Sequence, residues 1–213
     1  MYKRQEQGIG HYFVPRYTRV VDTVESKDNI NKAYNLISTS KVRNEMIVDD
    51  VITCITRKQT PVILTRFKEH AKFLYDALKG KADHVFLLYG DNSDKENTEI
   101  RGRLKQVPGS ESLVLVATGQ KIGEGFDFPR LDVLMLAAPV SFEGRLEQYV
   151  GRLNRDYVGK EAVYVYDYID SHVRYFDKMY AKRLRTYRKT GFSIWTQAVS
   201  YTHLRAHETT LHL

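Results

Sequence analysis

Cysteine is almost absent. Cys54 is the only one in 213 residues, so no intrachain disulfide can form, and a reducing, cytoplasmic setting is the expectation. No apolar run approaches the roughly 20 residues that a bilayer-spanning helix needs. The opening stretch MYKRQEQGIGHYF has no signal-peptide core, so no membrane partner is expected. The loop G-x-x-x-x-G-K-[ST], whose backbone cradles the β-phosphate of a nucleoside triphosphate, is also missing. So is an acidic pair after a buried strand to hold Mg²⁺. No metal site is expected either: His207 and His212 flank a Glu208-Thr209-Thr210-Leu211 stretch one residue too long for two ligands to share a helix face. His203 and His207 have the right spacing, but a pair alone is a poor site.

What remains is a chain with enough apolar content, 42%, to form a core, and a formal net charge of +7. That excess makes an anionic partner the expectation, although charge alone does not choose among nucleic acid, nucleotide and acidic membrane. Residues 1–40 are weakly periodic and mix Tyr2, Tyr12, Phe13 and Tyr17 with Lys3, Arg4, Arg16 and Arg19. They read as an interdomain connector, with a short strand near Tyr17–Thr23; the alternative is a basic-aromatic strip that touches nucleic acid. Lys41 to Arg57 reads as a helix with Val48, Val51, Ile52 and Ile55 inward, and Cys54 as a small packed residue. Pro61–Thr65, Val85–Tyr89, Leu113–Ala117, Val133–Ala137 and Glu161–Tyr168 read as strands separated by helices. Continuous buried runs of this kind indicate a mostly parallel sheet covered on both faces. Ser93 and Glu96 form a capping-box pattern. Ser171 is the expected cap of a last helix, with Val173, Phe176, Tyr180, Leu184 and Tyr187 on one side. Its other side carries Lys178, Lys182, Arg183, Arg185, Arg188 and Lys189, either a solvated face or one that follows a phosphate backbone.

The stretch Phe142–Arg155, FEGRLEQYVGRLNR, organises the rest. Leu146, Tyr149, Val150 and Leu153 fall at i, i+3, i+4 and i+7, one apolar stripe of a helix. Gln148, Arg152 and Arg155 fall on the opposite side, with Gly151 beside them. Two planar, permanently charged guanidiniums and an amide form a clamp suited to a polyphosphate. Upstream, the LVLVA strand opens into Thr118-Gly119-Gln-Lys-Ile-Gly123-Glu-Gly125-Phe-Asp127-Phe-Pro129, and α/β sheets bind ligands outside the carboxyl ends of such strands. Together, ATGQKIGEGFDFP and QYVGRLNR closely resemble motifs V and VI of superfamily 2 helicases, in their C-terminal RecA-like domain.

The resemblance covers about 41–189 and implies a RecA-like three-layer sandwich: a sheet with helices on both faces. It implies that Arg155 is an arginine finger, that Arg152 lies on the phosphates beside it, and that Gln148 orients the γ-phosphate or the attacking water. Asp127 would accept hydrogen bonds from ribose or hold the loop, while Gly123 and Gly125 allow close backbone approach. Thr118, with Thr65 and Arg66 at a motif IV-like strand end, would contact DNA or RNA; alternatively Thr65 and Arg66 are a helix cap and a surface charge. His70 is expected to be structural or exposed. ATP with Mg²⁺ would be bound mainly by an N-terminal RecA-like domain absent from this sequence, so the fragment alone is expected to be inactive. The competing class is a non-catalytic RecA-like module that binds nucleic acid or a partner. A nucleotide-sugar transferase half is a third, but it has no need of the Gln148/Arg152/Arg155 face. Residues 190–213 read as a tail, expected to be foreign to the natural chain from about residue 199, where VSYTHLRAHETTLHL resembles a translated sequencing-adaptor read-through.

Overall fold

The computed structural model describes residues 9–90, 92–119, 122, 126–140 and 143–195, without the Glu143 side chain. Its strands are β1 (Gly10–Tyr17), β2 (Pro61–Thr65), β3 (His84–Leu88), β4 (Leu113–Thr118), β5 (Val133–Leu136), β6 (Ala162–Ile169) and β7 (Ser193–Ile194). They form one sheet in the order β3-β4-β2-β5-β6-β1-β7, and every pairing is parallel. The expected mostly parallel sheet is therefore wholly parallel among the described residues. All carboxyl ends lie along one edge, which sets Thr65 beside its register partner Thr118.

β2, β4 and β5 are buried along their whole length, because both faces of the sheet are covered. On one face Leu113, Leu115 and Ala117 pack with residues of α5 (Asp94–Gln106), α6 (Glu143–Leu153) and α7 (Arg174–Lys189). On the other face Val114 and Val116 pack with residues of α3 (Lys41–Thr56) and α4 (Lys68–Leu78). The Ser93 capping box is present in full at the start of α5. Cys54 is buried, and burial pushes its thiol up to about 12, as suits a packed residue. No helix among the described residues is long and apolar enough to cross a membrane.

Several boundaries differ from expectation for physical reasons. Residues 10–40, whatever they connect, are built into this layer structure. β1 pairs with β6 along all eight of its residues, seven positions earlier than the expected strand near Tyr17–Thr23. Pro15 disguises it, yet fits. Gly10 and Thr18 donate their amides toward β6, so alternation turns the Pro15 position the other way. Among the described residues β7 pairs with Tyr12 and Phe13 alone, and a position that faces away from β6 needs no N–H for that ladder. α1 (Val24–Asp28) and α2 (Ile30–Thr39) follow. The inward face of α3 is Arg43, Asn44, Ile47, Asp50, Val51 and Cys54, while Ile52 is exposed; three buried polar residues displaced the stripe that hydropathy predicts. α7 is capped by Asp22, which accepts from the Arg174 amide at 2.8 Å, and not by Ser171.

Candidate functional site

The apolar stripe of α6 is confirmed, since Leu146, Tyr149, Val150 and Leu153 are all buried. Its burial brings the helix and the turn after it against Gly119, Phe126 and Asp127, and the contacts follow the same order along both segments. The Tyr149 hydroxyl donates to the Gly119 carbonyl at 3.1 Å. Arg152 Nη1 donates to the Phe126 carbonyl at 2.5 Å. Arg155 Nε lies 3.7 Å from Asp127 Oδ1. A Cβ on Gly119 would sit 2.8 Å from the Tyr149 hydroxyl, so a side chain there would displace that hydroxyl from its bond.

These contacts give the three basic-face residues different characters. Arg152 is half-buried and spends part of its fork holding the loop. Gln148 is exposed on the same helix. Arg155 lies beyond the helix, which ends at Leu153, so the helical-face argument does not place it. Lys160 does. Its ammonium donates to the carbonyls of Leu153 at 2.8 Å, Arg155 at 3.0 Å and Pro129, which ties the turn carrying Arg155 to the end of the upstream loop. Burial lowers the Lys160 pKa. Arg155 and Asp127 expose 64% and 63% of their side chains. Such a pair contributes little and leaves the guanidinium able to turn to another anion. Gly123 and Gly125 lie outside the described residues. A Cβ on Gly151 would meet nothing within 4 Å, so no contact among the described residues requires that glycine.

A second group sits at the carboxyl edge. Thr65 Oγ1 is 2.7 Å from His70 Nδ1, and His70 Nε2 is 2.9 Å from Asn44 Oδ1. Asn44 Nδ2 donates to the Ser38 carbonyl, which fixes its amide orientation. His70 Nε2 must then carry the proton, Nδ1 accepts, and the Thr65 hydroxyl donates inward. Thr65 is buried and its proton is committed, so its side chain has no donor left for a phosphate. Thr118 is 7% exposed. Arg66 is exposed and stacks over the Tyr34 ring, 4.5 Å from its centroid.

Burial lowers the His70 pKa to about 3, with the Arg43 charge adding to it. The unfolded chain therefore takes up this proton first. The stability His70 confers is complete above the ordinary imidazole value of 6.5 and is lost as pH falls from there toward about 3. Asp132 opposes the trend, because burial raises its carboxyl to about 6 and acidification relieves that penalty. His70→Gln is expected to flatten the decline of the urea midpoint between pH ~6.5 and ~4. Parallel declines in the two proteins would refute the assignment.

The connection from β5 to α6 is held by side chains that pattern reading does not find. Arg43 Nη1 donates to the Ala137 carbonyl at 2.8 Å, the Tyr34 hydroxyl to Pro139 at 2.7 Å, and Arg183 Nη1 to Val140 at 3.0 Å. Both arginines are anchored on carboxylates at the end of β6. Arg43 Nε and Nη2 bind Asp170 at 2.9 and 3.1 Å, and Arg183 Nε and Nη2 bind Asp167 at 2.7 and 2.9 Å. Arg183 is thus a buried anchor and does not belong to the basic outer face of α7. The sequence signal was two aspartates within and just after an otherwise apolar strand, AVYVYDYID.

No family model matches the chain. Transcript termination protein A18 of Yaba-like disease virus is 26% identical over 163 residues, which cover 71% of this chain and 33% of that protein. Putative helicase 161L of Invertebrate iridescent virus 6 is 30% identical over 162 residues, 72% of this chain and 35% of that protein. The chain spans about a third of the length of these relatives. Among solved structures, T4 UvsW superposes with a TM-score of 0.67 at 19% identity, over 88% of this chain and 40% of that one. S. cerevisiae Dbp5 bound to RNA and ADP BeF3 superposes with a TM-score of 0.51 at 15% identity, over 87% and 40%. The fold of this chain is that of the C-terminal RecA-like domain of superfamily 2 helicases.

Proposed function

We propose that this chain is the second motor domain of an ATP-dependent nucleic-acid helicase or translocase, incomplete without a domain that carries a phosphate-binding loop. The observation that carries the reading is the seam between α6 and the stretch after β4. It leaves Arg155 exposed at the end of a fixed turn, next to Asp127 and Arg152. Phosphoryl transfer is catalysed mainly by positioned positive charge, and these residues supply such charge while the chain lacks the triphosphate cradle. The fit to ATP is therefore partial. Arg155, Arg152 and Gln148 would face its phosphates, Asp127 its ribose or the loop, and the rest of ATP with Mg²⁺ would be held by the missing domain. Arg66, exposed at the carboxyl edge with Thr118 nearby, would meet DNA or RNA. Thr65 would support that edge through His70 instead of donating to it. Relatives described as a transcript termination protein and a putative helicase, together with a fold neighbour bound to RNA and a nucleotide analogue, agree with this reading.

Phosphate release tests it. The purified 213-residue chain is expected to hydrolyse no ATP, with or without a single strand. Joined to a domain with the phosphate-binding loop, it is expected to hydrolyse ATP faster when a strand is present. Robust hydrolysis by the chain alone would contradict the proposal.

A further inference from the structure

We infer that the outer ridge of α7 is a second nucleic-acid contact surface, one that grips the phosphate backbone away from the carboxyl edge of the sheet. The inference rests on the nucleic-acid reading above and adds a surface which that reading does not assign. α7 has seven Lys or Arg residues against the single Asp177, so this helix alone nearly accounts for the formal excess of +7 in the whole chain. α5 shows the contrast, since it mixes Asp94, Glu96 and Glu99 with Lys95, Arg101, Arg103 and Lys105.

The charge is also ordered. Of the seven cations, Arg183 is spent on Asp167 inside the protein. Arg174, Lys178, Lys182, Arg185 and Lys189 are all exposed. At 3.6 residues per turn they fall within about a quarter of the helix circumference, along a ridge about 22 Å long. Phe176, Arg183 and Tyr187 are buried on the opposite side. Lys189 approaches Glu147 only at 3.9 Å; Arg174, Lys178, Lys182 and Arg185 have no acidic partner among the described residues. Like charges at i, i+3 and i, i+4 repel and destabilise a helix, and among the described residues no ion pair on Arg174, Lys178, Lys182 or Arg185 offsets that repulsion. A polyanion does. A ridge of this length spans several phosphates of one strand, which are spaced about 3.4 Å apart along a duplex axis. α7 begins just after Asp170, at the same carboxyl edge as Arg66 and Thr118. From that edge the ridge runs away along the helix. Contacts from such a ridge to phosphates carry no base information, so binding there is expected to be insensitive to sequence.

The test is anisotropy of a labelled single strand, and separately of a duplex, titrated with the full chain between about 50 and about 200 mM salt. The ridge variant combines Lys178→Gln, Lys182→Gln, Arg185→Gln and Lys189→Gln. A control with the same charge change combines Lys27→Gln, Lys81→Gln, Lys95→Gln and Lys105→Gln, all exposed positions elsewhere. On a single strand, loss of four phosphate contacts lowers the slope of log K against log salt by about 3 and the affinity at ~0.1 M salt by two to three orders of magnitude. The control is expected to lose less than about tenfold. An unchanged thermal midpoint shows that the ridge variant is folded. Binding with an unchanged slope in the ridge variant overturns the ridge alone, because the strand is then held elsewhere. No binding of either nucleic acid by the unaltered chain overturns the nucleic-acid reading as well. Competition by anionic lipid vesicles as effective as by the strand overturns the choice of partner.

Discussion

Arg155→Ala, made in a protein that joins this chain to a phosphate-binding-loop domain, is expected to lower nucleic-acid-stimulated kcat by roughly 10³ or more. The size of the effect follows from when the contact is made. Arg155 is solvent-exposed and paired only loosely with Asp127, so little is lost when it turns from that carboxylate to the charge that develops during phosphoryl transfer. An interaction realised mainly in the transition state lowers kcat and kcat/KM together when it is removed, while ground-state nucleotide affinity changes much less. Arg155→Lys is expected to give no rescue, because a point ammonium lacks the planar fork. Steady-state phosphate release and nucleotide titration on the three proteins check the whole pattern. A normal kcat for Arg155→Ala would remove the residue from the chemistry.

Sequence and structure agree best where burial is continuous and one-signed. The strand run LVLVA and the stripe of Leu146, Tyr149, Val150 and Leu153 are legible because an apolar residue in a periodic position has one energetic reason to be there. The seam contacts that those elements create are less legible. Tyr149 reads as an apolar body, and its hydroxyl reaches Gly119 only once α6 is docked. Lys160 belongs to neither motif, yet it fixes the turn that bears Arg155, since its three donors find three carbonyls from two distant loops. The face of α3 was misplaced because Arg43, Asn44 and Asp50 point inward. A hydropathy pattern assigns charged residues to solvent, whereas a bidentate pair with a third hydrogen bond satisfies them in the core. β1 was hidden for a related reason, because GHYFVPRY contains a proline, which a strand accommodates where the missing N–H faces away from its partner. The role of Thr65 turns on the direction of one proton. That direction follows from the orientation of the Asn44 side-chain amide, 21 residues earlier in the chain.

The same buried chemistry sets the last expectation. Asp170→Ala is expected to destabilise the domain by about 3–5 kcal/mol. Asp170 and Arg43 have fully buried side chains, and Asp170 also accepts from the Thr18 hydroxyl at 2.6 Å. Removing the carboxylate leaves a guanidinium inside the protein with, among the described residues, the Ala137 carbonyl and the Tyr168 ring, 5.5 Å away, to offset its desolvation. Replacing both partners is a different experiment. Arg43→Met with Asp170→Leu removes the two charges together, so it is expected to recover much of the loss. Recovery stays incomplete, because the Ala137 carbonyl and the Thr18 hydroxyl are left without partners, at about 1–3 kcal/mol each. The pair joins β6 and the β5–α6 connection to Thr18 and α3, so it also tests whether residues 10–44 fold with the rest. If they do, unfolding of Asp170→Ala stays a single urea transition at a lower midpoint, whether followed by tyrosine fluorescence or by circular dichroism. An early, separate transition of the N-terminal segment, or a loss below about 1 kcal/mol, would show that the first 44 residues are only loosely attached to the sheet.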